Sequence, residues 1–151
     1  MKILVLGSLF RQADEFSLLK KSKMGLQNQA NTFQWALIKG FDSILNNPVD
    51  IINVLPVGTY PKQYAGLILK GKKWEHQPGA HDEEIWSINL PLLKQLSRAM
   101  LCRKVIKRWI ENNNHQELFI IALVCYLPFL MAVQDVPQNV KVILIVPDIP
   151  E

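Results

Sequence analysis

Apolar residues gather into four short runs, 2–7 (KILVLG), 49–55 (VDIINVL), 118–124 and 140–146, each ending in a polar, glycine or proline-bearing turn. Runs this short and this continuous suit strands covered on both faces, as in a parallel sheet. Between them the spacing changes to the helical period. Ala30, Phe33, Leu37, Phe41 and Ile44 predict a first crossover helix, with Asn28 or Asn31 as N-cap and Pro48 beyond its end. Leu92, Leu96, Ala99, Cys102, Ile106 and Trp109 predict a second helix, starting just after Pro91. The residues LPFLMAVQDVPQN supply a third, between the last two strands. Strand, helix and strand in alternation predict an α/β protein with an open, mostly parallel, Rossmann-like sheet and helices on both faces, joined by right-handed crossovers.

Less regular stretches separate these elements. Residues 8–29 are polar and basic, and they predict a long loop that is functional or mobile. The loop lacks the spacing of a dinucleotide phosphate turn. Residues 64–69 suit an edge strand or a short helix, residues 72–81 a hairpin or excursion turning at Pro78-Gly79, and residues 84–89 a further strand. In 151 residues this makes one domain. No helix is foreseen after the last strand, so the pattern reads as the first part of a larger protein.

Composition narrows the class without deciding it. A hydrophobic fraction of 49% with 20% charged residues is that of a globular chain. No apolar run reaches the roughly 20 residues of a membrane span, and no secretory leader is recognisable, so a cytoplasmic location is expected. Cys102 and Cys125 have no metal-site or disulfide spacing. No metal and no cofactor are expected. His76, His81 and His115 are scattered and read as solvated, while Trp74, Trp86 and Trp109 read as packing residues.

The net charge of +4 gains meaning from its placement. Lys94, Arg98, Arg103, Lys104, Lys107 and Arg108 fall on the second helix with no acid among them, and are expected to face outward opposite the apolar stripe. Such a face suits an anionic membrane surface, where each cation contributes about 1 kcal/mol. Nucleic acid is not expected, since no groove-reading motif accompanies the charge.

Ligands of open α/β sheets bind outside the carboxyl ends of the strands. Tyr126 and Asp148, after the last two apolar runs, are therefore candidate cleft residues. Asn28, Gln29, Asn31 and Gln34 place amide side chains at a helix start, where free backbone amides favour anionic or hydroxyl-rich groups.

The segments GLQNQANTFQWALIKGF, SINLPLLKQLSR and VILIVPDIPE, in this order and spacing, resemble the N-terminal half of a bacterial retaining glycosyltransferase. The family is of the two-Rossmann-domain type and includes capsule and exopolysaccharide enzymes. The resemblance spans nearly the whole chain. It implies that Asn28, Gln29, Asn31 and Gln34 bind the acceptor and that Asp148 and Tyr126 lie by the transferred sugar as catalytic candidates. It also implies a nucleotide-sugar donor held by a second domain, a glycan or lipid-linked acceptor, and a peripheral position at the inner membrane face. Relatives often place histidine where Tyr126 stands and His-Asp where Pro147-Asp148 stands. The residues alone are equally served by a non-catalytic α/β module for a small anionic ligand or a partner subunit.

Overall fold

A computed structural model of the chain describes residues 1–123 and 126–145. Along the chain these form β1 (Lys2–Gly7), α1 (Gln12–Lys21), α2 (Asn28–Ile44), β2 (Asp50–Asn53), β3 (Ile68–Leu69), β4 (Lys72–Trp74), β5 (Asp82–Glu84), β6 (Ser87–Ile88), α3 (Leu93–Asn113), β7 (Leu118–Ala122), α4 (Leu127–Val133) and β8 (Val140–Leu144). The main sheet has the order β4-β5-β2-β1-β7-β8, and β3 pairs with β6 in a separate ribbon. All neighbours in the main sheet run parallel except β4 against β5. The protein is thus α/β with a mostly parallel mixed sheet, compatible with a Rossmann-like arrangement. Asp148 and Cys125 lie outside the described residues.

β1 is central because both of its faces are apolar. Its side chains alternate across the sheet. Leu4 and Leu6 pack with Cys102, Ile106 and Trp109 of α3 and Phe129 of α4. Ile3 and Val5 pack with Ile38 of α2 on the other face. Helices therefore cover both faces, as the pattern predicts. Each such side chain contributes about 1.5–3 kcal/mol on full burial. The hairpin expected over residues 72–81 is present as β4 and β5, and Gly79 takes φ 86° between them.

Two expectations are corrected. Residues 8–29 do not form a loop throughout, because α1 occupies residues 12–21. Only Leu18 of α1 is buried, so the helix leaves almost no periodic signature. What holds the segment is a small satellite core in which Phe10 and Leu18 meet Leu55, Val57, Tyr64 and Leu69. Asp14 adds ion pairs to Arg11 at 2.8 Å and to Lys72 at 2.7 Å.

The second correction concerns the face of α3. Its buried side is Lys94, Arg98, Ala99, Cys102, Val105, Ile106 and Trp109. Leu92 and Leu96, expected to pack on the sheet, are 79% and 52% exposed, while Lys94 and Arg98 are only 8% and 3% exposed. From Leu92 to Lys94 is a rotation of about 200° about a helix axis, close to the opposite face. The stripe from Ala99 to Trp109 is as predicted. At the start of the helix it continues through the two cations because carbonyl groups await them there.

Candidate functional site

The strand order reverses between β1 and β7, which is the switch point where a crevice opens. A cleft of about 490 Å³ lies there. Ser8 follows β1, Pro56 and Val57 follow β2, Lys94 and Arg98 come from α3, and Tyr126 leads into α4.

Ser8 lines the cleft at the head of the segment 8–10, and side chains hold that segment by its backbone. Gln34 Oε1 accepts from Ser8 N at 2.8 Å while Gln34 Nε2 donates to Ser8 O at 2.9 Å. Asn53 does the same for Leu9, at 2.8 Å in each direction. Asn31 Oδ1 accepts from Phe10 N at 2.8 Å, and Trp35 Nε1 donates to Phe10 O at 3.0 Å. A buried backbone group without a partner is costly, and here amide and indole side chains replace the ladder that ends with β1.

Lining the cleft with Ser8 are the two buried cations. Arg98 donates through Nη2 to Leu55 O at 2.7 Å, through Nη1 to Tyr126 Oη at 2.9 Å and through Nε to Ser87 Oγ at 3.3 Å. Lys94 Nζ donates to Val57 O. Burial, and secondarily the charge of Arg98, lower the Lys94 ammonium to about 8. Among the described residues no aspartate or glutamate lines the cleft. Gln95, also in its wall, leaves Oε1 buried with no hydrogen-bond partner.

The structure distributes the sequence candidates unevenly. Tyr126 lines the cleft, with its hydroxyl held by Arg98 and its ring edge-on to Phe129 at 5.4 Å. Gln34 lines it too, with its amide engaged by Ser8, whereas the Asn31 carbonyl is engaged by Phe10. Asn28 and Gln29 are exposed at the start of α2. The N-cap position is Gln27, without a side-chain cap, so neither Asn28 nor Asn31 caps the helix. The outward basic face loses Lys94 and Arg98 and keeps Arg103, Lys104, Lys107 and Arg108. Acids from elsewhere reach part of it, since Arg108 pairs with Glu83 and Arg103 with Asp135. Trp109 is buried as expected, but Trp86 is 46% exposed.

At the opposite, amino ends of the strands lies a wider hollow of about 1200 Å³. Its buried charges are matched. Asp50 accepts from Lys2 Nζ at 3.0 Å, His81 N at 2.9 Å and Trp109 Nε1 at 2.7 Å. Asp82 accepts from Ile51 N at 3.0 Å and from His76 N at 2.7 Å. His76, expected to be solvated, is instead buried between two carboxylates. Its Nδ1 lies 2.8 Å from Asp82 and its Nε2 lies 2.9 Å from Asp42. Burial alone would lower the imidazole, but Asp82 and Asp42 more than offset this and raise it above its ordinary value. Two carboxylate partners require two N–H donors, so the ring is held as imidazolium. No recognisable sequence spacing signals this group, because Asp42 comes from α2 while His76 and Asp82 come from the β4–β5 turn and β5, 34 or more positions further on.

Among the described residues no cluster is arranged to hold a metal ion, and no helix is long and apolar enough to cross a membrane. Cys102 is buried and its thiol is pushed up to about 12, which makes it an inert packing residue. No family model, curated protein or solved structure matches the chain. The larger hollow balances its own charges, whereas in the smaller cleft, at the carboxyl ends of the strands, the cations have no counter-ion among the described residues. The cleft is the candidate site.

Proposed function

We propose that the chain is the acceptor-side domain of a retaining glycosyltransferase of the two-Rossmann-domain type, which moves a sugar from a nucleotide donor to a glycan or lipid-linked acceptor. The observation that carries this reading is the switch-point cleft with two buried cations and no carboxylate among its described lining residues. It lies on the side where the family resemblance puts the acceptor. In this reading Ser8, Gln95 and Tyr126 offer polar contacts to acceptor hydroxyls, and Arg98 positions Tyr126 through the bond to its hydroxyl. The donor belongs to a second domain, and reaction proceeds through an oxocarbenium-like transition state. This chain then contributes acceptor orientation and electrostatic surroundings, and by itself turns over no nucleotide sugar.

The test is a titration of the isotope-labelled chain followed by amide resonances. Glycan acceptors are expected to shift Ser8, Gln95 and Tyr126. Nucleotide sugars seating in the cleft, with glycans ignored, would overturn the reading. The two buried cations in the described lining of the cleft also suit one rival, a non-catalytic module for a small anionic ligand. Transfer of sugar by a protein carrying this domain together with a donor-binding domain separates the two.

A further inference from the structure

Among the described residues the cleft holds an electrostatic imbalance that its lining does not resolve. Lys94 is 8% exposed and donates to one neutral carbonyl, that of Val57, although an ammonium carries three donors. Arg98, 3% exposed, lies one turn further along the same helix face, and all its partners are neutral oxygens. Burying a charge without a counter-charge is costly, and burying two like charges side by side is more so. Beside them Gln95 Oε1 is a buried acceptor with no donor. The three groups thus ask for negative charge and for a hydroxyl within one ligand.

We infer that the cleft takes a phosphorylated sugar, with its phosphate on Lys94 and a neighbouring hydroxyl donated to Gln95. The inference rests on the acceptor reading and specifies the acceptor's chemistry: a sugar esterified to phosphate, whether free in solution or joined through pyrophosphate to a lipid. Arg98 is the fixed second charge, since its guanidinium cannot be deprotonated. Among the described residues, the charged or titratable groups that line the cleft with Lys94 are Arg98 from its own helix and Tyr126 from the start of α4, while the loops after β1 and β2 bring uncharged lining residues. With Lys94 lowered to about 8, the cleft is doubly charged below that pH and singly charged above it.

Calorimetric titration of the full chain tests this with four probes: inorganic phosphate, glucose, glucose 1-phosphate, and glucose joined by pyrophosphate to a short polyprenyl chain in micelles. Glucose 1-phosphate is expected to bind at least about tenfold more tightly than glucose, equivalent to about 1.4 kcal/mol. Inorganic phosphate should compete with it, and whichever phosphorylated probe binds more tightly identifies the source. Lys94→Met should abolish the preference, and in the wild-type chain the preference should weaken as pH rises through 8. The wild-type pH series stands whether or not the variant folds. Equal affinity for glucose and glucose 1-phosphate, a preference unchanged by pH or by Lys94→Met, or binding of none of the probes would overturn the inference. Glycans binding without regard to phosphate would sink it and leave the acceptor reading intact. Phosphate binding with glycans ignored would leave the anion site standing and remove the acceptor.

Discussion

The two ends of one sheet treat buried charge in opposite ways. At the amino ends Asp42, Asp50 and Asp82 each find a cation or several N–H donors, and His76 ties two elements together through two of them. At the carboxyl ends, among the described residues, Lys94 and Arg98 meet carbonyl and hydroxyl oxygens without a carboxylate. Matched charges are spent on architecture, whereas unmatched ones carry a cost that a ligand can relieve. The amino end should therefore fail when a charge is removed. The carboxyl end should tolerate removal and lose only binding.

The sharpest break is Asp82→Ala. It strips the partner from Ile51 N and from both His76 donors, leaving a buried imidazolium facing Asp42 alone. A loss of about 3–5 kcal/mol is expected in urea denaturation. A loss under about 1 kcal/mol, within the range of ordinary point substitutions, would erase the distinction between the ends.

The next test uses pH, and the signs differ. The His76 imidazole is raised in the folded chain, so its stabilisation is complete below the unfolded value of about 6.5 and is lost as pH climbs through the folded one. Lys94 is depressed to about 8, so between there and its ordinary value of 10.5 the unfolded chain binds the extra proton and stability rises with pH. Denaturation midpoints of the wild type should fall on leaving neutral pH and recover in alkali. His76→Gln should remove the fall, and Lys94→Met the recovery.

Lys94→Met itself should leave the fold unchanged or up to about 1 kcal/mol more stable, because removing a buried unmatched charge offsets the donor lost from Val57 O. Thermal melts decide this, and a loss above about 2 kcal/mol, a large effect for one residue, would make Lys94 architectural after all. The smallest effect belongs to the exposed half of α3. Lys104→Glu with Lys107→Glu should change stability by no more than about 0.5 kcal/mol. We propose that this face, with the exposed Leu92, Leu96 and Met100 earlier on the same helix, meets anionic membrane. The charge reversal should then abolish flotation with anionic vesicles, and binding by the wild type should weaken with salt. Equal flotation with neutral vesicles would leave only a solvated face.

What the sequence could reveal follows from how each element is held. β1, β2, β7 and β8 are legible as strands because continuous apolar runs have few other uses in a chain of this composition. β8 is not covered on both faces as its run suggests, since among the described residues it is the edge strand and exposes residues 141–144. α2 is legible as a helix, but its expected stripe is offset. Ala30, Phe33 and Ile44 are exposed, Leu37 and Phe41 half-buried, and the buried side is Gln34 and Ile38, because Gln34 turns inward to hold the backbone of Ser8. α1 is not, since a helix with one buried residue leans on ion pairs and on a satellite core assembled from distant segments. At the start of α3 apolar character is a false sign of burial. There the satisfied carbonyls of Leu55 and Val57 bury cations and push leucines outward. Tyr126 could be placed from the strand-end rule alone. Lys94 as a cleft residue could not, because its role depends on a carbonyl 37 positions away.

The grip on residues 8–10 has a kinetic consequence. All six of their backbone donors and acceptors are engaged by Gln34, Asn53, Asn31 and Trp35 before any ligand arrives. Freezing a mobile loop residue on binding costs about 1–2 kcal/mol, and here that entropy has already been lost on folding. A ligand entering this cleft need not wait for this segment to assemble. Association should therefore be a single step, linear in ligand concentration, at the ordinary docking rates of about 10⁵–10⁷ M⁻¹s⁻¹.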